Sequence, residues 1–232
     1  MKKKSFLISK LCLLAIIIIF ASSCIKNDNF IKGDAKIRVF HASSLDTTQN
    51  FFENGRPLGS ATVTGSNSSY VVVAGDSTYK FTSRNIDGTT DLASLGNQRL
   101  EIGRNYSIFL TRKTPTAPPS LILTEDQVRI DTTVAKIVFM HLGYTLTSPV
   151  IIADEGASFA RFTMNYNDIV EKTIKVNSLT KISFALTTPT ATNPPPAVTV
   201  IDANTVVKGK TYVVLIDGTR TGDLQKRMIA NN

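Results

Sequence analysis

Ala35-Lys36-Ile37-Arg38-Val39-Phe40-His41 and Ala135-Lys136-Ile137-Val138-Phe139-Met140-His141 share four of seven residues at an offset of 100. A second echo follows. Leu100-Glu101-Ile102-Gly103-Arg104-Asn105-Tyr106 and its sequel Ser107-Ile108-Phe109-Leu110 match Val206-Val207-Lys208-Gly209-Lys210-Thr211-Tyr212 and Val213-Val214-Leu215-Ile216 in pattern. Each has a glycine three residues before a tyrosine, then a run of β-formers. Two echoes in the same order and at similar spacing mark two copies of one unit.

Each copy reads as β throughout. In the first, residues 37–41 are an apolar run, and 50–53 end in Asn54-Gly55, a two-residue hairpin signal because both positions tolerate positive φ. Residues 70–73 suit a buried strand. Residues 79–82 alternate apolar and polar, as a half-buried strand does. Residues 99–102, 106–111 and 121–123 complete the set, and Leu92, Ala93 and Leu95 suggest one short helical turn. The second copy offers 137–141, 150–153, 159–164, 169–176, 182–186, 198–201 and 212–216. About seven short strands in about 100 residues predict a two-sheet sandwich. The expected fold is all-β, with two tandem immunoglobulin-like or transthyretin-like β-sandwich domains at 35–125 and 135–232. Residues 126–134 form a short linker without Gly or Pro, so the copies are expected to touch.

The stretch before the first copy is an address. Lys2, Lys3 and Lys4 precede an apolar run at 11–20, then Ala21, Ser22, Ser23 and Cys24. About ten apolar residues are too few to span a bilayer, which needs about 20; they suit a signal-peptide core. Ala21-Ser22-Ser23-Cys24 resembles the bacterial lipobox, with Ala21 where that pattern has Leu. The resemblance implies cleavage between Ser23 and Cys24, removal of 1–23, and acyl chains on Cys24 that hold the protein to a membrane through a polar tether at 24–34. Each buried methylene contributes about 0.8 kcal/mol to such an anchor. Ile25, not Asp, follows the cysteine, which directs the expectation to the outer membrane.

That processing decides the rest of the composition. Cys12 leaves with the signal peptide and Cys24 is lipidated, so the folded part is expected to lack disulfides, thiol catalysis and cysteine-based zinc sites. Four of the 26 Lys and Arg lie in the leader with none of the 18 Asp and Glu, leaving 22 against 18 and a net charge of +4. With no long basic run, nucleic acid is not an expected partner.

The remaining candidates for chemistry are sparse. His41 and His141 hold equivalent strand ends, where an imidazole caps a strand or bonds a turn; no ligand cluster at metal spacing lies nearby. Ser43, Ser44 and Asp46 read as a hydrogen-bonded turn, not a triad, whose members must converge from separate elements. Asp126, Asp131, Asp154, Glu155 and Asp168 are scattered. Tyr70, Tyr79, Tyr144 and Tyr166 could stack on sugars, while Tyr106 and Tyr212 are expected to pack at a strand entrance with the hydroxyl on backbone. Residues 114–119 (TPTAPP) and 187–196 (TTPTATNPPP) are expected to protrude in the extended polyproline conformation.

With this pattern assembled, the chain resembles domain-of-unknown-function family 4397. Ile37-Arg38-Val39-Phe40-His41-Ala42-Ser43-Ser44 matches that family's opening, Asn54-Gly55 its turn, Ser69-Tyr70-Val71-Val72-Val73-Ala74-Gly75 its third element, and Gly103-Arg104-Asn105-Tyr106 its later glycine-to-tyrosine step. The second copy is a diverged repeat, with Leu142-Gly143 after His141. The resemblance implies a secreted or envelope-attached β-sandwich module without established enzymatic activity, and it brings no functional residues. The expected function is a non-enzymatic binding or scaffolding module on the envelope, needing no cofactor and meeting an extracellular protein or glycan. The alternatives are a glycan-binding accessory of a nutrient-uptake system, which is a binding function too, and an unrecognised hydrolase.

Overall fold

The computed structural model describes residues 33–127, 131–188 and 199–231. Ser23, Cys24 and most of the second proline-rich stretch lie outside them. The first copy contributes β1 (Asp34–His41), β2 (Gln49–Glu53), β3 (Arg56–Pro57), β4 (Val71–Ala74), β5 (Ser77–Asn85), β6 (Ala93–Leu100), β7 (Asn105–Arg112) and β8 (Pro119–Glu125). The second contributes β9 (Ala135–His141), β10 (Val150–Asp154), β11 (Phe162–Met164), β12 (Ile169–Ile174), β13 (Lys181–Leu186), β14 (Thr199–Asp202), β15 (Thr211–Gly218) and β16 (Leu224–Ala230). A single 3₁₀ turn, Ala203–Thr205, is the one helical element among the described residues. The fold is all-β, two β-sandwiches in tandem.

Both sandwiches have the same strand order. One sheet runs β4-β1-β7-β8 and its counterpart β12-β9-β15-β16; the other runs β3-β2-β5-β6 and its counterpart β11-β10-β13-β14. The correspondence extends to register. β1 and β7 are parallel, with Ile37 opposite Tyr106; β9 and β15 are parallel, with Ile137 opposite Tyr212. Tyr106 and Tyr212 are buried, and each hydroxyl accepts a backbone N–H five residues upstream, from Glu101 and Val207, at 3.0 Å.

Each sandwich has its own core. In the first, Ile37, Val39, Ile108 and Leu110 meet Phe51, Tyr79 and Phe81. In the second, Ile137, Phe139 and Val214 meet Ile152, Ile182 and Phe184. A third cluster joins them: Phe40, Ala42 and Phe109 pack with Met140, Leu142, Val213 and Leu215. These are the opposite faces of β1, β7, β9 and β15. The four strands are therefore covered on both sides, as a strand between helices would be, and the run Tyr212 to Ile216 in β15 is apolar at every position. Each fully buried side chain of this size contributes roughly 1.5–3 kcal/mol. The described residues form one compact unit.

Local chemistry explains the turns. Asn54 (φ 44°) and Gly55 (φ 81°) close the β2–β3 hairpin in the conformation expected of that pair. Three expectations need correction. Val71–Ala74 is not a buried strand but the outer strand of its sheet, with Val73 buried and Val72 exposed on the other face. Residues 92–95 are not a helical turn. Ala93–Leu100 is a strand, and its alternation is broken by Asn97 at φ 57° and by a register shift opposite Tyr79 and Phe81. The first proline-rich stretch is not an extended polyproline segment. Ala117 N–H returns to Thr114 O at 3.1 Å, making a hydrogen-bonded turn between β7 and β8, and Pro119 opens the outer strand β8.

Candidate functional site

β1 runs parallel to β7 and β9 to β15, and hydrogen bonds from Tyr144, Thr111 and Tyr166 join the carboxyl ends of the two pairs. Ser43 follows β1. Its hydroxyl donates to the Asp46 carboxylate and accepts from the Tyr144 hydroxyl of the second sandwich at 2.9 Å; the Tyr144 oxygen accepts Leu45 N–H at 3.0 Å. Arg112 at the end of β7 grips Asp46 with two donors, its Nε at 2.9 Å, and its third nitrogen donates to Ala117 O at 2.7 Å. The Tyr166 hydroxyl, from the turn before β12, donates to Arg112 O at 2.6 Å. Burial raises the Asp46 carboxyl, but the Arg112 guanidinium and the Ser43 hydroxyl outweigh it and hold the group below the usual carboxylate range. Loops 42–48 and 112–118 of the first sandwich are thus fixed against loops 142–149 and 165–168 of the second.

The histidines serve this end structurally. His41 and His141 are buried. His41 Nε2 donates to Thr47 O at 2.7 Å, and His141 Nδ1 accepts Gly143 N–H at 3.1 Å. Both rings therefore carry their proton on Nε2 and bond turn backbone. Burial lowers both imidazoles, His141 to about 4. Ser43 is itself buried, and its hydroxyl meets a carboxylate and a phenol, with no imidazole as base.

The scattered carboxylates are mostly occupied in turns. Asp154 accepts the N–H groups of Gly156 and Ser158, Asp168 that of Asn165, and Asp131 that of Thr133. Glu155 pairs with Lys181 at 2.9 Å. Asp126 is different. It sits in the joint between the sandwiches, accepts from Ser107 and Tyr70, and lies 3.5 Å from the Arg38 guanidinium. Among the described residues no three His, Cys, Asp or Glu side chains are placed to share a metal ion.

All six tyrosine hydroxyls are engaged inside the protein, Tyr79 through Ala74 O and the others through the bonds given above. What the interlocked end does offer is exposed apolar side chains. Val63, Ile86 and Leu92 are 54%, 56% and 37% exposed. Val63 follows Thr62, which pairs with Gln49, and Ile86 follows Asn85, which also pairs with Gln49. Sequence reading missed Val63 and Ile86, since isolated apolar residues in turns carry no periodic signal, and it placed Leu92 in a helical turn.

No family model and no curated protein sequence matches the chain. Three solved structures are similar to it at low levels. A carbohydrate-binding module of family 26 from Eubacterium rectale, in complex with maltoheptaose, is 13% identical, covers 86% of this chain and 98% of its own, and superposes with a TM-score of 0.25. A putative cell adhesion protein from Bacteroides uniformis is 9% identical, with 86% and 97% covered and a TM-score of 0.24. A fimbrial assembly protein from Parabacteroides distasonis is 12% identical, with 86% and 98% covered and a TM-score of 0.23. These scores lie below the level at which a superposition argues for shared fold or function.

Proposed function

We propose that this chain is a non-enzymatic binding or scaffolding module, held to the outer membrane by lipid on Cys24, whose contact face is the interlocked loop end. The observation that carries the reading is the Asp46–Arg112 pair with Tyr144 and Tyr166, which sets loops from both sandwiches into one preorganised platform. Fixing loops in advance lowers the entropy lost when they meet a partner.

The tether supports the same direction. Gly33 leads into the amino end of β1, so a chain anchored through residues 24–32 enters the fold at the end opposite the platform. The eight residues of β1 span about 26 Å at about 3.3 Å each. The point where the chain enters the fold, Gly33, and the loop platform thus lie at opposite ends of β1.

Site-specific photo-crosslinkers in intact cells test this. Probes at Val63, Ile86 and Leu92 are expected to give discrete adducts, and probes at Leu179 and Val207 on the opposite end are not. Cys24→Ala is expected to release the protein from the membrane fraction and abolish the adducts. Equal labelling from both ends, or a Cys24→Ala protein that stays membrane-bound, would contradict the proposal.

A further inference from the structure

The second sandwich caps the end of one of its outer strands with its own chain, and the first leaves the equivalent strand end uncapped. Glu53 opposite Phe81 matches Asp154 opposite Ile182, and Val73 opposite Ala35 matches Ile174 opposite Ala135, so Ala74 corresponds to Lys175. In the second sandwich a longer connection fills the gap between these elements. Asp154 takes the N–H groups of Gly156 and Ser158 at 3.0 and 2.8 Å. Ser158 Oγ takes the N–H of Lys175 at 3.1 Å. Phe159 and Phe162 then pack edge-on against Phe139, with centroids 6.0 and 5.8 Å away.

None of this exists in the first sandwich, where Asn54-Gly55 turns back at once. A groove of about 690 Å³ lies there between the outer strand β4 and the β2–β3 turn, lined by Glu53, Arg56, Val72, Ala74 and Thr78 among others. Gly75 N–H bonds Gly33 O at 2.7 Å. Because antiparallel pairs alternate, Val73 bonds toward β1, and the backbone groups of Val72 and Ala74 point out of the sheet. Tyr79 takes the Ala74 carbonyl at 2.8 Å, leaving the Ala74 N–H and both groups of Val72 at the edge. The Val72 side chain is 56% exposed. The Glu53 carboxyl has no hydrogen bond or ion pair among the described residues, and its partial burial raises it despite Arg56 nearby.

We propose that this groove binds an extended peptide segment of a partner protein, which adds to the outer edge of β4, sets an aromatic or large apolar side chain between the sheets, and brings a basic residue to Glu53. The second sandwich supplies the aromatic side chains and one acceptor for an edge N–H from its own chain, while the first leaves its outward edge groups and Glu53 unmet. Backbone pairing supplies affinity in such strand addition, and the alternate side chains supply selectivity. The site is separate from the loop platform and stands or falls apart from it.

The test uses the mature, isotope-labelled protein and a capped synthetic peptide with the sequence of residues 156–163, Gly-Ala-Ser-Phe-Ala-Arg-Phe-Thr. Titration is expected to shift the amide signals of residues 53–56, 71–74 and 77–79. Val72→Pro removes one outward N–H at an edge position that tolerates proline, and is expected to weaken binding about fivefold to tenfold. Glu53→Gln is expected to weaken it less. If Val72→Pro loses its native spectrum, a peptide N-methylated at alternate residues carries the same test without altering the protein. No shift with peptide at millimolar concentration, or equal binding by the N-methylated peptide, would overturn the proposal. So would shifts at these amides that depend on protein concentration alone, which assign the edge to a second copy, or shifts produced by maltoheptaose and not by peptide.

Discussion

Arg38 on β1 donates to Asn231 beyond β16, and the acid beside it, Asp126, holds in the first sandwich the position that Asn231 holds in the second. Asp126 N–H bonds Asn105 O at 2.7 Å and Asn231 N–H bonds Thr211 O at 2.8 Å, while Asn105 and Thr211 oppose Lys36 and Lys136. Arg38 also donates to Ser107 Oγ at 2.9 Å, and its guanidinium lies 4.6 Å from the Tyr70 ring centre. Its side chain is 3% exposed and that of Asp126 1%. One arginine thus bridges two equivalent sites across the joint.

The first prediction concerns this pair. Arg38→Val places in β1 the residue found at position 138, but strands a buried carboxylate; the expected loss is about 3–5 kcal/mol by denaturant unfolding. Adding Asp126→Asn, which copies Asn231, removes the stranded charge and is expected to recover at least half of that loss. Additive losses would mean that Arg38 and Asp126 are not coupled.

The repeat itself predicts matched costs. Tyr106→Phe and Tyr212→Phe each remove the acceptor of one turn N–H and leave the ring packing in place. Each is expected to cost about 1 kcal/mol, and the two should agree closely. Thermal or denaturant unfolding of the two variants side by side checks this, and a large difference would show that the two corners are not energetically equivalent.

These equivalences were visible because Gly103 to Tyr106 and Gly209 to Tyr212 keep their spacing, and because Asn54-Gly55 carries its turn geometry locally. The short linker implied that the copies touch, but not which faces meet. Arg38, Ser107, Thr111 and Thr211 occupy the alternate positions that a sheet with one wet face gives to solvent, yet all four are buried. Only a second sandwich laid against that face makes them interior, and no local pattern encodes its arrival. A trace did exist: residues 212–216 are apolar at every position, which marks a strand covered on both faces. The loop platform was hidden for a similar reason. Ser43, Asp46, Arg112, Tyr144 and Tyr166 are far apart in the chain, and each alone reads as an ordinary turn or strand-end residue.

The shared cluster predicts coupled unfolding. Phe40 and Phe109 stack with centroids 4.6 Å apart on the face turned toward the second sandwich. Phe109→Ala is expected to cost about 3–5 kcal/mol through lost burial and the cavity left behind. Because the lost contacts join two cores, calorimetry should show one transition for the parent and two for the variant. A single transition lowered by less than about 1 kcal/mol would mean that this face contributes little to stability.

The buried imidazoles predict an acid slope with a defined window. His141 has its proton affinity lowered by burial from the ordinary 6.5 to about 4, with Asp168 opposing the change weakly. The unfolded chain therefore takes up the proton first. Stability should be full above about pH 6.5, fall as pH drops toward about 4, and show no further loss from this group below that, where both states are protonated. The total is roughly 3 kcal/mol, since each tenfold change in proton affinity is worth about 1.36 kcal/mol. His41 acts in the same direction. Asp46, held low by Arg112 and Ser43, gives up its contribution only at still lower pH, as its folded carboxylate is protonated, so the two effects separate along the pH axis. His141→Asn can keep an acceptor for Gly143 N–H without a titrating ring. Its unfolding free energy between pH 4 and 6.5 should vary less steeply than that of the parent, and an unchanged slope would remove His141 as the source.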